Sequence, residues 1–184
     1  MTAFVAVYDA CVLYPSTTRD LLIRIAQAGL VQAKWTDAIL DEVFDNLATN
    51  RPDLDVVKLS RTRDLMAGAI RDVLVVGYEA LIDIVSLPDP DDRHVLAAAV
   101  RSRAQLIVTN NLRDFPSTAL TAWGVEAVTP NAFVRAQIDL DRDVVYAAVT
   151  RIADSWRNPP GAVADVIARL ERDGLLETAA ALRE

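Results

Sequence analysis

The chain has 184 residues, 52% hydrophobic and 24% charged, enough for one domain with an appendage and a core that needs no staple, which excludes a disordered segment. A single cysteine, Cys11, excludes an internal disulfide framework, and with His94 as the only histidine a zinc site of nitrogen and sulfur ligands cannot be assembled. The formal charge of −7 argues against an extended nonspecific DNA binder, although divalent ions would reverse the local field wherever several acids share one site.

Residues 3–9, AFVAVYD, form an apolar run of β-formers ended by Asp9, which predicts a strand. The run is too short for a membrane span and has no basic leader, so a reducing cytoplasm is expected. Residues 18–28 then carry Leu21, Leu22, Ile25 and Ala26 at helical spacing. After the run Leu30 to Trp35, Thr36 is placed to cap a helix bearing Ile39, Leu40, Val43, Phe44 and Leu47, which Asn50, Arg51 and Pro52 end. A further helix is expected over 53–71, with Leu54, Val57, Leu65, Met66 and Ala69 inward, and a strand over 82–86. Beyond the turn at 88–90 follow a helix over 91–103, a buried strand over 105–109 and a last strand over 123–128.

Alternating strands and helices predict βαβ units: a parallel central sheet with helices on both faces, spanning residues 1–130. From residue 131 strand signals vanish. Helical spacing runs through Val144, Val145, Ala148 and Ile152, then Val163, Val166, Ile167 and Leu170, then 175–182, with a break at Asn158 to Gly161. Residues 131–184 are therefore expected to be an all-helical C-terminal extension.

In parallel sheets, ligands collect beyond the carboxyl ends of the strands. Asp9 ends the first strand, the Thr109-Asn110-Asn111 turn and Asp114 follow a later one, and Asp92 opens a helix on the same edge. Such clustered carboxylates suit hard cations, Mg²⁺ or Mn²⁺. At 100° per residue Asp92 lies over the Val95-Leu96-Ala99 stripe, an acid on an apolar face, while Asp89, Asp91 and Asp92 all compete for the N-cap. Asp41 and Glu42 flank the apolar face of their helix almost symmetrically, so periodicity does not choose between them. Asn111 and Asp114 also suit a simple turn. His94 points away from the apolar stripe and is expected to be exposed; Cys11 is expected to be a packed residue beside Asp9.

Taken in order, YDACVLYPSTTRDLL, WTDAILDEV, DPDDRHVLAAAV and LIVTNNLRDFP resemble the PIN-domain family of metal-dependent ribonucleases, in particular its VapC-type toxins of bacterial toxin–antitoxin modules. The resemblance covers about residues 3–130 and implies a three-layer α/β/α fold whose acids bind Mg²⁺ or Mn²⁺. Carried across by position, the acids are Asp9, Glu42 and Asp92, which settles the tie with Asp41. Where many members have Asp after the later strand this chain has Asn111, leaving Asp114 as the nearby carboxylate, and Asp89 completes a D-x-x-D spacing as an outer ligand. Thr109 and Asn111 would position water and phosphate. The implied activity is RNA phosphodiester hydrolysis by a toxin held in check by a cognate antitoxin protein, with homodimerisation a family expectation. The rival readings are a PIN-like binder of RNA or a partner without catalysis, favoured by Asn111, and a DNA-directed 5′ nuclease.

Overall fold

The computed structural model describes residues 3–184. Four strands, β1 (Phe4–Tyr8), β2 (Val31–Lys34), β3 (Leu106–Val108) and β4 (Glu126–Val128), form one parallel sheet in the order β2-β1-β3-β4. The central position of β1 explains its composition: Ala6, Val7 and Tyr8 are covered on both faces, as parallel strands require. Val7 pairs with Lys34 on one side and Ile107 on the other, which brings the ends of β1 and β3 level.

The helices are α1 (Ala10–Leu13), α2 (Ser16–Gln27), α3 (Asp37–Asn50), α4 (Val56–Ala69), α5 (Glu79–Ile82), α6 (Arg93–Ser102), α7 (Ser117–Leu120), α8 (Pro130–Leu140), α9 (Arg142–Ser155), α10 (Val163–Arg172) and α11 (Leu176–Arg183). They flank the sheet to give the expected three layers with C-terminal helices. Thr36 caps α3 as expected, its hydroxyl accepting from the Ile39 N–H at 3.0 Å. Among the described residues no helix is long and apolar enough to cross a membrane.

Several expectations need correction. Residues 82–86 form no strand: Ile82 ends α5 and Ile84 is exposed. The segment that extends the sheet beside β2 is instead 73–75, where the Trp35 N–H donates to Val73 at 3.0 Å and the Val75 N–H donates to Trp35 at 2.8 Å. Both runs are short and rich in Val or Ile, and periodicity does not separate a strand from a turn at that length. In α4 only Met66 is buried, while Val57 and Leu65 face solvent, because the polar middle of this helix defines no continuous apolar face. The last strand is only three residues long. Residues 121–123 form a 3₁₀ turn, which Gly124 terminates at φ +67°, a left-handed geometry that a side chain would strain.

The C-terminal helices close over the sheet. Phe133 of α8 stacks edge-on against Tyr8 of β1, ring centres 5.9 Å apart, and α9 packs along α2. Val149, Ile152, Val166 and Leu170 join the same continuous core as Leu21 and Ile25. Part-buried polar links lock the arrangement: the Thr18 hydroxyl donates to Asp173 at 2.9 Å and the Thr178 hydroxyl to the Asn131 carbonyl at 3.1 Å.

Candidate active site

β1 ends at Tyr8, and the chain turns at once into α1, with Asp9 as the N-cap. One oxygen, Oδ1, accepts from the Ala10 N–H at 2.8 Å; the other, Oδ2, accepts from the Thr109 hydroxyl at 2.8 Å. Asp9 is buried, at 4% exposure, so its carboxylate is fixed by both a helix start and the neighbouring strand. Thr109, fully buried, also accepts from the Asn111 N–H at 3.0 Å. Its hydroxyl is therefore committed to the protein and reaches the site through Asp9, whereas Asn111 is exposed. Cys11 completes this net. Its Sγ lies 3.5 Å from both Asp9 Oδ2 and Thr109 Oγ1 and accepts from the Asn110 N–H at 3.3 Å. Burial, and then the Asp9 charge, push its thiol up to about 11, which makes it an inert packed group.

Two acids of α3 diverge. Asp41 is exposed and bonds Arg63 of α4 at 2.5 Å. Glu42 is exposed as well, but it lies in the field of other acids: partial burial first, then Asp9 and Asp91, raise its pKa. The competition at the start of α6 is likewise resolved by geometry. Asp89 caps the short 3₁₀ turn 90–92, accepting from the Asp91 N–H at 2.9 Å, and the Asp92 side chain makes no capping bond. Asp92 is pushed up to about 7 by burial, then by Asp9, Asp89, Asp114 and Glu42. Burial is the larger cause, and four other carboxyls add to it in the same direction. Asp114 is placed by the turn after β3, its N–H donating to the Asn111 carbonyl at 3.0 Å.

His94 departs from expectation. It is half-buried, its Nδ1 has no hydrogen-bond partner among the described residues, and it lies in the field of Asp9 and Asp91, although burial dominates and lowers its pKa. Asp91, too, contributes to the field on Glu42; its position as one of three nearby acids in DPDD carried that signal. The site's donor set is oxygen from carboxylates and an amide, the chemistry of hard divalent cations. As the side chains stand, no three Asp, Glu, His or Cys groups among the described residues are gathered closely enough to hold an ion. The acids fit such an ion in kind and in their mutual repulsion, and closing on it requires side-chain adjustment.

A family model described as PIN domain matches residues 5–113, and one described as VapC50 C-terminal domain matches residues 130–184. A protein of Mycobacterium tuberculosis (strain ATCC 25618 / H37Rv), whose name provisionally assigns it as ribonuclease VapC50, is 45% identical over 69 residues, which is 38% of this chain. The match spans 41% of that relative's own length. No solved structure matches the chain.

Proposed function

The chain belongs to the PIN-domain family, and from that premise we propose that it is a metal-dependent endoribonuclease, the toxin of a toxin–antitoxin pair. The observation that carries this reading is the convergence on Asp92, whose carboxyl is raised to about 7 by burial and four neighbouring acids. A cluster in which one acid keeps its proton near neutrality is poised to exchange that proton for a cation.

Asp9, Glu42 and Asp92 would hold Mg²⁺ or Mn²⁺, with Asp89 as an outer ligand and Asp114 nearby. Such an ion, when bound, supplies a water of lowered pKa and stabilises the leaving oxygen of a phosphodiester. The protein's own contribution is positioning. Thr109 and the Ala10 N–H fix both oxygens of Asp9, so this ligand costs no reorganisation when substrate arrives. Asn111 presents its exposed amide to a phosphate oxygen or to water.

This assignment carries with it an RNA substrate, a cognate antitoxin protein, a homodimer and action in the cytoplasm. Residues 1–130 form the nuclease unit, and residues 131–184 the extension that covers its sheet. Cleavage of cellular RNA by wild type but not by Asp9→Asn, in Mg²⁺ or Mn²⁺ and not in EDTA, tests it. The products should carry 5′-phosphate and 3′-hydroxyl ends; cyclic phosphates would overturn the mechanism. A second reading, a binder without catalysis, draws on Asn111, which removes one negative charge from the edge. It predicts metal-independent RNA binding and no cuts.

A further inference from the structure

Close to the acidic edge, a cavity of about 560 Å³ lies where the α1–α2 junction, the end of α3, α4 and α10 meet; Tyr14, Arg19, Arg51, Thr62 and Arg169 line it. Arg19 is half-buried, and its hydrogen bonds run from Nη1 alone, to the carbonyls of Leu13 at 3.0 Å and Tyr14 at 3.4 Å. Burial lowers its pKa, and the adjacent Asp20 only offsets this, because that carboxylate is bonded to Arg24 at 2.7 Å. Arg169 stands exposed on the last turn of α10. Among the described residues neither Arg19 nor Arg169 lies within ion-pair distance of a carboxylate. The one acid lining the cavity, Asp173, accepts from the Thr18 hydroxyl instead. Arg51 holds Asp53 through Nε and Nη2.

Arg19 and Arg169 bring two guanidinium groups without a carboxylate partner to one cavity, and Arg19 is the one partly withdrawn from water. A guanidinium drawn out of water without a counter-charge is unfavourable, and its planar fork matches a phosphate. We propose that this cavity is a phosphate-binding subsite for the backbone of the RNA substrate, gripped by Arg19 and Arg169, with Arg51 at its rim. The inference rests on the nuclease reading for the identity of its ligand. Nearness along the chain to the catalytic edge favours RNA over other anions. Tyr14 follows Asp9 by five positions, roughly 7–8 Å along a helical path. Phe44 and Leu47, on the other wall, share α3 with Glu42. A short single strand spans that distance, so one phosphate would sit in the cavity while another lies at the acids. Arg169 comes from α10, which gives the C-terminal helices a part in holding substrate.

The test is binding of a labelled single-stranded oligoribonucleotide to the full chain carrying Asp9→Asn, with and without Arg169→Glu, across a range of salt. The subsite predicts about tenfold weaker binding for R169E and a log–log salt slope shallower by roughly 0.7 to 1. Arg19→Lys, which keeps the charge but loses the fork, should weaken binding less. R169E should melt with its parent, since Arg169 is exposed. In cleavage assays R169E should raise KM far more than it lowers kcat. Superimposed RNA-binding curves with equal slopes would overturn the proposal. So would a loss confined to a Glu-rich peptide probe, which would make the groove a seat for an acidic protein segment. Weaker RNA binding by R169E, with no cleavage by the chain that retains Asp9 and is supplied with metal, would support the subsite and overturn the nuclease reading alone.

Discussion

The Thr109 hydroxyl, at the end of β3, donates to Asp9 Oδ2, at the end of β1, across 2.8 Å, and both groups are buried. This bond joins the Asp9 N–H to Val108 carbonyl bond of 3.1 Å in tying the two central strand ends together and, with the Ala10 N–H, sets the direction of the acid. Thr109→Val should lower turnover about 10–100-fold and destabilise the fold by about 1–3 kcal/mol, the cost of an orphaned buried acceptor. Thr109→Ser should restore most of both. Kinetics and urea denaturation of the two variants check this; wild-type turnover in Thr109→Val would remove the positioning role.

Asp92 makes stability depend on pH in a definite direction. Its folded pKa of about 7 exceeds the ordinary aspartate value, so between the two the folded chain binds more protons than the unfolded one. The stabilisation is complete below about pH 4 and is lost as pH rises through about 7. Asp92→Asn should therefore melt higher than wild type in EDTA at alkaline pH and gain little in acid. With screening of a partly exposed carboxyl, about 1 kcal/mol is expected, or a shift of roughly 2–4 °C. A gain that does not change with pH would contradict the assignment.

Asp41 and Glu42 are adjacent in sequence and differ in surroundings: Asp41 pairs with Arg63, and Glu42 lies in the field of Asp9 and Asp91. Glu42→Gln should reduce cleavage by at least about 100-fold, since it removes charge at the acidic edge. Asp41→Asn disturbs only the exposed pair with Arg63 and should cost at most about 1 kcal/mol with turnover unchanged. Measuring both variants side by side distinguishes them, and equal losses would show that the edge is drawn wrongly.

Ile152 of α9 sits fully buried in the core shared with α2. Ile152→Ala should cost about 2–5 kcal/mol and lower the single unfolding transition of the whole chain. Two separated transitions would show that the C-terminal helices unfold independently of the sheet.

Much of this arrangement was legible in the chain. The strand ending on Asp9 and the buried strand before Thr109 announce themselves by continuous apolar runs, because central parallel strands are covered on both faces. Thr36 announces α3 because an N-cap needs a side-chain acceptor. Residues 73–75 did not: an edge segment this short has no period to read. Helical spacing left Asp41 and Glu42 tied and the family resemblance chose Glu42; the structure adds that Asp41 bonds Arg63 of α4, a contact between elements that spacing does not encode. His94 was misplaced for the same reason, since its surroundings come from other elements: it lies in the field of Asp9, from the end of β1. The capping contest among Asp89, Asp91 and Asp92 was settled only by the 3₁₀ turn, which hands the cap to Asp89 and leaves the Asp92 side chain without a capping bond.

The most direct measurement of the central claim is cleavage of a cellular RNA pool by purified wild type and Asp9→Asn, with Mg²⁺, Mn²⁺ or EDTA, with product ends mapped. The account predicts discrete metal-dependent cuts bearing 5′-phosphates, absent in the variant although it folds. Equal cleavage by both proteins, or none by folded wild type supplied with metal, would contradict it.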